Sequence, residues 1–354
     1  MSDLPVYPIS RHPAGFNAHS GMDGICRALR VVPFCIPETW TKIQKRSWTA
    51  GDWLRKWGNR WYGCEWNALV PVWDEWTIQR TLPKGMPHIV HWLWGEFAAP
   101  KRVETYRARG GKVVVSVHCS ARRWKSVWRR PDGYAQADMV VLTSESQREF
   151  VERDVPHERV RRIPLGVECN YFTPGIRRDR RGKRLRLFLF GNTERDHAFA
   201  VAVAKRLPEN CFEWRIRTVA PGKTLYDNIP CITMLPRLSD EEMLEEYRQA
   251  DLLCMPMLDS AANDVLLESM ACGTPVMINR VGGVPEYVSE ECNVVMSDEH
   301  RIDEWVEKLL WLERNRNWLE DVRPRTRAWA ERFDWSVVKE DYLATYQKVM
   351  TMEP

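Results

Sequence analysis

Residues 260–286 read SAANDVLLESMACGTPVMINRVGGVPE, and this stretch decides the fold class. Its apolar segment VLLESMAC predicts a short helix over 265–272, and PVMIN predicts a β-strand over 275–279 directly after it. One carboxylate, Glu268, lies in the middle of the apolar helix. An unpaired buried carboxylate is unfavourable by several kcal/mol, so Glu268 requires a partner or a ligand.

The two ends of this helix carry recognisable signals. Asn263 or Asp264 is expected to cap the amino terminus, because short polar side chains accept hydrogen bonds from the first free N–H groups. Gly273 is expected to end the helix, because glycine adopts the left-handed backbone conformation that follows many helices.

The alternation of strand and helix extends backward along the chain from this stretch. Short runs rich in apolar and β-branched residues predict strands over 88–94, 112–118, 137–144, 159–167, 185–191, 213–220, 231–236 and 251–257. Helical segments lie between them, over 100–110, from Ser144 onward, over 197–207 and over 239–250. This alternation predicts an α/β fold with parallel sheets that are covered on both faces.

The length of 354 residues corresponds to two domains of ordinary size. We predict one domain over 1–172, a basic linker over 173–186, a second domain over 187–328 and terminal helices over 329–354. If two doubly wound domains face each other, the carboxyl ends of both sheets border a central cleft. Helix amino termini at such a cleft favour a phosphate-bearing ligand.

The composition argues against several classes of protein. No run approaches about 18 apolar residues and the first residues lack a signal-peptide pattern, so we expect neither a transmembrane helix nor a secretory signal. The ten cysteines are scattered singly, which argues against a zinc site and a disulfide framework and favours a reducing cytoplasm. A net charge of +4 is small for a dedicated nucleic-acid binder.

The most specific pattern lies within residues 238–288, where LLESMACGTPV is followed by GGVPE. This pattern resembles the retaining glycosyltransferases of family 4, which are group 1 glycosyl transferases with the GT-B architecture of two facing Rossmann-like domains. Weaker similarity extends over residues 86–350. The resemblance implies that the terminal helices cross back to the first domain.

The resemblance also implies an activity. The family transfers a sugar from a nucleotide-sugar, UDP- or GDP-linked, to an acceptor hydroxyl with retention at the anomeric carbon. No metal and no cofactor beyond the nucleotide-sugar co-substrate is expected. No side chain need act as a nucleophile, because catalysis consists of positioning and of stabilising the leaving group.

A pair of glutamates eight positions apart marks this family. The second corresponds to Glu268, which is expected to accept charge-assisted hydrogen bonds from the ribose hydroxyls. The first falls on Ser260, a departure that puts the donor sugar and the activity in doubt, with Asp259 as an alternative one residue earlier. Asn263 and Asp264 are expected beside the donor.

The residues that would hold the donor diphosphate also depart from the family. Asn192 falls at the position of a family arginine, and Arg195 or His197 lies near the position of a family lysine. We prefer Arg195, because a leaving diphosphate needs a permanent cation, and the alternative is a solvated residue at a helix start. Lys223 is a second candidate cation, or a solvated loop residue. His118, at a strand end, corresponds to the family histidine beside the donor sugar and phosphate.

Further donor contacts are implied at two loops. The loop 14–24 is similar to the family's first loop, with Ser20 and Gly21 as the positions of close approach. The nucleobase is expected against backbone groups from Leu235 to Arg237. Together the resemblance makes His118, Arg195 and Glu268 the candidate catalytic residues.

Acceptor choice is expected to depend on the segment ARRWKSVWRR, residues 121–130. Arg122, Arg123, Trp124 and Trp128 suit an anionic acceptor such as a lipid phosphate, an anionic glycan or DNA that bears a hydroxylated base. A solvated loop is the alternative.

The Trp-rich segment 40–76 places Trp53, Trp57 and Trp61 at helical spacing, interleaved with basic residues. It fits an interfacial membrane helix, a stacking surface or an aromatic core stripe.

Two other hypotheses stay open. The acceptor could be modified DNA, or the protein could be a non-catalytic nucleotide-sugar-binding subunit on the same fold, because Ser260 and Asn192 are both atypical. We expect a cytoplasmic protein, with peripheral contact at the inner membrane face as an open alternative.

Overall fold

The structure is a computed structural model that describes residues 5–10, 18–35, 78–96, 100, 102–128, 133–176, 183–219 and 222–353. The chain forms two compact units. The first unit comprises Met1–Phe16, Gly21–Leu165 and Trp335–Pro354, and the second comprises Asn17–Ser20 and Gly166–Asp334. The segment 40–76 with Trp53, Trp57 and Trp61, and residues 177–182 of the predicted linker, lie outside the described residues.

In the first unit, the described residues form a six-stranded parallel sheet. Its strands are β1 (Val6–Ser10), β2 (Phe34–Cys35), β3 (His88–Trp92), β4 (Gly111–Val117), β5 (Met139–Leu142) and β6 (Val160–Arg162), in the order β2-β1-β3-β4-β5-β6. Its helices include α1 (Asp23–Leu29), α2 (Val103–Arg107), α3 (Trp124–Val127), α4 (Arg148–Val151) and the last described helix, α11 (Trp335–Thr351), and residues 78–81 are also helical. All residues of β3 and β5 are buried, as parallel strands covered on both faces require.

Helix α11 belongs to the first unit and is linked to its sheet by hydrogen bonds of a buried histidine. His91 on β3 bonds through Nδ1 to Tyr346 Oη at 2.7 Å and through Nε2 to Ser116 Oγ at 2.8 Å. Burial, with His118 nearby, lowers the pKa of His91 to about 3, so the ring is neutral at physiological pH. A neutral ring with both nitrogens bonded joins α11 to β3 and β4 without burying a charge.

The second unit also contains a six-stranded parallel sheet within the described residues. Its strands are β7 (Leu185–Phe190), β8 (Phe212–Arg217), β9 (Ile232–Met234), β10 (Leu252–Met255), β11 (Val276–Asn279) and β12 (Val294–Met296), in the order β12-β11-β10-β7-β8-β9. Its helices are α5 (His197–Ala204), α6 (Asp240–Gln249), α7 (Asp264–Ala271), α8 (Val284–Tyr287), α9 (Ile302–Arg314) and α10 (Arg316–Glu331). This is the doubly wound strand order, and it reverses between β7 and β10. Ligands of such sheets bind beyond the carboxyl ends of the strands at this reversal.

The opening helix and its neighbours confirm the α/β prediction. Helix α7 and strand β11 lie within one residue of the predicted bounds, and Gly273 ends the helix with a φ of +72°. Asn263 occupies the N-cap position, but its side chain makes no capping hydrogen bond. Ser144 and Ser239 each form a complete capping box at the predicted helix starts.

Helix α7 is buried on every side, because α10 packs on it as well as the sheet. Residues 265–271 are all buried, including Glu268 and Ser269. Arg327 on α10 donates from Nη1 to the Ala271 carbonyl at 2.6 Å, which satisfies one of the free carbonyls at the helix end. A helix that is apolar all round is therefore expected here, and Glu268 is the exception that needs an explanation.

Candidate donor site in the second unit

Glu268 lies in the second unit with only 4% of its surface exposed. Its Oε2 accepts a hydrogen bond from Tyr247 Oη at 2.6 Å, and its Oε1 accepts one from Ser20 Oγ. Burial and, next, the nearby Asp264 carboxylate raise the pKa of Glu268 to about 7, while the two hydroxyl donors act in the opposite direction. The site is thus a desolvated carboxyl group surrounded by hydroxyl donors.

Tyr247 is the residue at this site that the sequence did not single out. It lies on α6 with no exposed surface, between the rings of Phe188, 5.5 Å away, and Phe172, 6.2 Å away. Burial, together with the Glu268 carboxylate, raises the pKa of Tyr247 well above its ordinary value, so the phenol stays protonated and donates. Its partner is 21 residues away on another helix, and no spacing rule connects the two positions.

Ser20 reaches Glu268 from a short segment, Ala18–Ser20. The Ala18 N–H donates to Asp240 Oδ2 at 3.0 Å. The His19 ring stacks on Tyr171 at 3.5 Å, and its Nδ1 lies 2.6 Å from Glu168 Oε2. Ser20 therefore lies beside Glu268, and its predicted contact with the donor stays a prediction.

Gly21 follows with a φ of +74°, a conformation that glycine adopts without strain.

Arg195 lies at the strand-order reversal, in the loop after β7. Its guanidinium donates to three neutral oxygens, Phe190 O at 3.1 Å, Thr193 O at 2.7 Å and Asn263 Oδ1 at 3.2 Å. Burial lowers the pKa of Arg195 to about 10, which leaves the group a cation at neutral pH. The bond to Asn263 joins the loop after β7 to the loop after β10, and it explains why Asn263 does not cap α7.

Gly191 makes room for this arginine. It has a φ of +104°, and a Cβ there would lie 2.8 Å from the Arg195 guanidinium.

His197 is the weaker candidate for the diphosphate. Its Nδ1 lies 2.7 Å from Tyr226 Oη and its Nε2 lies 3.4 Å from Thr218 Oγ1. Burial and the positive charge of Arg195 lower the pKa of His197, so its ring is neutral at pH 7. This supports the choice of Arg195 as the permanent cation.

Asn192, at the position of the family arginine, is hydrogen-bonded to the loop after β8. Its Oδ1 accepts from the Val219 N–H at 2.7 Å and from the Thr218 hydroxyl. The side chain therefore ties the loop after β7 to the loop after β8.

Three other residues of the second unit were predicted to contact the donor. The side chain of Lys223, within the 3₁₀ turn Gly222–Tyr226, lies outside the described residues. The Leu235 N–H donates to Ile216 O at 2.8 Å, so this backbone group is already hydrogen-bonded to strand β8. Arg237 is exposed.

Ser260 lies in a tight turn that depends on the glycine pair of GGVPE. The Gly283 N–H donates to Ser260 O at 2.7 Å, and a Cβ on Gly282 would come within 2.2 Å of that oxygen. Asp259 Oδ1 accepts the Ser260 N–H at 2.7 Å. One oxygen of Asp259 is therefore used inside its own turn, which weakens the idea that it replaces the missing glutamate.

Candidate site in the first unit

His118 follows the carboxyl end of β4. Its Nε2 lies 2.7 Å from Leu93 O, and because a carbonyl only accepts, Nε2 is the donor in this contact. The ring lies 4.7 Å from that of Trp94.

Two buried side chains hold the backbone around His118. Glu96, with no exposed surface, accepts through Oε1 from the N–H groups of His118 and Cys119. Gln147 donates from Nε2 to the carbonyls of Val117 at 3.1 Å and Cys119 at 3.0 Å. The sequence offered one signal for Glu96, a lone carboxylate shortly after a buried strand.

The prediction that Trp124 and Trp128 bind an acceptor is wrong. Each is only 5% exposed, and both pack against Tyr134, at ring distances of 5.8 Å and 4.9 Å. They belong to the hydrophobic core of the first unit. Arg122 is exposed and Arg123 is half-buried in the 3₁₀ turn Ala121–Arg123, so the basic part of the prediction stays open.

Comparison with known proteins

Two family models match the chain. The model for glycosyl transferases group 1 matches residues 225–329, and the model for Glycosyltransferase Family 4 matches residues 28–171. The chain therefore belongs to these glycosyltransferases, and each of its two six-stranded parallel sheets matches a sheet of GT-B glycosyltransferase structures.

Curated relatives share part of their length with this chain. A D-inositol 3-phosphate glycosyltransferase of Paenarthrobacter aurescens is 26% identical over 252 residues, which are 65% of this chain and 61% of the relative. Its counterpart in Mycolicibacterium smegmatis is 33% identical over 125 residues, 34% of this chain and 27% of the relative. The chain thus matches less than two thirds of the length of these relatives.

Solved structures share the fold at low identity. Anabaena Alr3699/HepE in complex with UDP and glucose superposes with a TM-score of 0.70 at 11% identity, covering 98% of this chain and 100% of that one. Sucrose-phosphate synthase from Thermosynechococcus elongatus has a TM-score of 0.64 at 16% identity, covering 78% and 77%. Among the described helices of this chain, none is both long and apolar enough to span a membrane.

Proposed function

We propose that the protein transfers a sugar from a UDP- or GDP-linked donor to an acceptor hydroxyl. The observation that carries this proposal is the carboxyl group of Glu268, buried in the second unit with hydroxyl donors on both of its oxygens. A ribose presents two adjacent hydroxyls, and a desolvated carboxylate binds such donors more strongly than a solvated one does. The family membership and the UDP complexes of a structural neighbour support the same assignment.

Transfer proceeds with retention and needs no bound metal or further cofactor. The leaving diphosphate is stabilised by Arg195, a cation whose hydrogen-bond partners are neutral oxygens beside the strand-order reversal. A fixed cation at the place where charge develops lowers the barrier more than a mobile one does. The departing phosphate oxygen takes the proton of the acceptor hydroxyl, so no side chain has to attack the sugar.

The acceptor is anionic in this proposal, a lipid phosphate or a glycan. Support comes from Arg122 and Arg123 after His118, and from the curated relatives, whose names include the phosphorylated compound D-inositol 3-phosphate. The DNA alternative loses the aromatic support of Trp124 and Trp128, because both are buried. Peripheral membrane contact follows only if the acceptor is a lipid.

A non-catalytic nucleotide-sugar-binding subunit is the second candidate. It is favoured by one observation, the commitment of the Asn192 side-chain oxygen to Thr218 and Val219 where the family has an arginine. Such a protein would bind the donor without turning it over.

A two-stage experiment separates these functions. Thermal shifts with UDP, GDP and their sugars identify the donor, and transfer is then assayed on phosphorylated lipid, glycan and hydroxymethylated DNA acceptors, with and without EDTA. The proposal predicts EDTA-resistant transfer to an anionic acceptor, with the donor's anomeric configuration retained by NMR and activity lost in Glu268→Ala. Donor binding without hydrolysis or transfer supports the binding subunit, and no binding of any nucleotide-sugar contradicts both functions.

A further inference from the structure

The two oxygens of Glu268 have partners of different kinds. Oε2 accepts from Tyr247, which is fully buried on α6, and Oε1 accepts from Ser20, which belongs to the short segment Ala18–Ser20. A carboxylate has about four acceptor positions in all, so both oxygens can accept further hydrogen bonds. With Ser20 in place, however, Glu268 is only 4% exposed.

We propose that Tyr247 is a positioning residue that orients Glu268, and that the Ser20 hydroxyl occupies the place of one ribose hydroxyl and leaves it when the donor binds. This inference rests on the proposed function, because it concerns the same carboxyl group and names the group that the donor displaces.

Tyr247 has the rigidity that a positioning residue needs. Its ring meets those of Phe188 and Phe172 edge to face, at interplanar angles of 79° and 76°. Its backbone carbonyl accepts from Thr274 Oγ1 at 2.6 Å. A fixed donor on Oε2 restricts rotation of the carboxyl group and therefore sets the direction of Oε1.

Two properties of Ser20 fit a group that the donor displaces: its hydroxyl, and the partly exposed contacts of the segment that carries it. Its hydroxyl donates to Oε1, as a ribose hydroxyl would, and Glu268 is only 4% exposed with this bond in place. The rest of the segment is attached at the surface: the Ala18 bond to Asp240 is exposed, and the side chains of His19 and Glu168 are 35% and 25% exposed. Partly solvated contacts open more readily than fully buried ones do.

The experiment compares three variants by calorimetry. UDP or GDP, whichever the wild type binds, is titrated with its 2′-deoxy and 3′-deoxy forms into wild type, Ser20→Ala and Tyr247→Phe. Ser269→Ala is the matched control, because it removes another buried hydroxyl from the same helix, one that donates to Thr274 O at 3.2 Å. Melting temperatures report the stability of each variant.

The expected results have opposite signs. Ser20→Ala binds the full nucleotide roughly 5-fold more tightly than the wild type does, since the competing hydrogen bond from Ser20 is gone. For one of the two deoxy nucleotides, Ser20→Ala shows no such increase in affinity. Tyr247→Phe binds the full nucleotide about 10-fold more weakly and discriminates less between it and the deoxy forms. Ser269→Ala lowers the melting temperature without changing either affinity or discrimination.

Several results would overturn the inference. Weaker or unchanged nucleotide binding by Ser20→Ala contradicts the displacement of Ser20. An equal loss of affinity for all three nucleotides in Tyr247→Phe contradicts a positioning role. These failures leave the proposed function intact, whereas a wild type that binds neither UDP, GDP nor their sugars contradicts the proposed function itself.

Discussion

The carboxyl edges of the two sheets use buried polar side chains in different ways. In the first unit, Glu96 and Gln147 bond to backbone groups of residues 117–119 and fix the chain around His118. In the second unit, Tyr247 and Ser20 bond to the side chain of Glu268. At the first edge the buried side chains hold the backbone in place, whereas the second edge contains a carboxyl group whose protonation and contacts can change. We therefore place the donor chemistry on the second edge and expect mutations there to have the larger effects.

The largest effect is expected for Glu268→Gln. The amide keeps the shape but replaces one acceptor oxygen with an N–H₂ donor that faces a hydroxyl donor. Nucleotide affinity should fall roughly 100-fold, since two charge-assisted hydrogen bonds are weakened or lost. Calorimetry measures the change, and a melting temperature close to that of the wild type shows that the fold is intact. A variant that binds the nucleotide as the wild type does would remove Glu268 from the site.

The pH dependence of donor binding should be the next largest effect. Because the pKa of Glu268 is raised to about 7, the carboxylate that accepts ribose hydroxyls is lost as the pH falls below that value. The affinity for a nucleotide-sugar, whose phosphates do not titrate in this range, should fall about 10-fold per pH unit from pH 7 downward. A flat profile between pH 8 and pH 5.5 in the wild type contradicts this, and Glu268→Gln is the control that should be flat.

The same group should affect stability with the opposite sign. Between its ordinary pKa of 4.5 and about 7, the folded protein holds a proton that the unfolded chain has released. The free energy of unfolding should therefore fall as the pH rises through this window. The difference between wild type and Glu268→Gln, measured by denaturant titration at several pH values, isolates this contribution.

A smaller effect is expected on the first edge. Glu96→Ala removes the acceptor for two backbone N–H groups, and should lower the melting temperature by several degrees and transfer by about 10-fold without changing donor affinity. Glu96→Gln keeps an acceptor oxygen and should restore most of both. Equal losses of stability and transfer in Glu96→Gln and Glu96→Ala would show that the charge of Glu96 is needed, and not only its hydrogen bonds to the backbone.

The comparison also shows how far the sequence could predict this protein. Helix α7 and strand β11 were predicted within one residue, because an apolar run, Gly273 and a β-branched strand are local signals. Strands β1, β2 and β12 were not predicted. Strand β2 has only two residues and β1 contains Pro8, which weakens a strand pattern, whereas β12 is as long as β6 and β9, which were predicted.

The candidate site was predicted only in part. Glu268, Ser20 and Arg195 were named, whereas Tyr247, Glu96 and Gln147 were missed because their partners are distant in sequence or are backbone groups. Trp124 and Trp128 were assigned to acceptor binding but lie in the core, because a four-residue helix has no periodicity that reveals which face it buries.

The most direct measurement is a crystal structure with UDP or GDP bound. The account predicts that a ribose hydroxyl lies about 2.6–3.0 Å from Glu268 Oε1, that Tyr247 still donates to Oε2, and that the Ser20 hydroxyl has moved away. A bound nucleotide whose ribose lies elsewhere, with Ser20 still bonded to Glu268, would contradict the central claim.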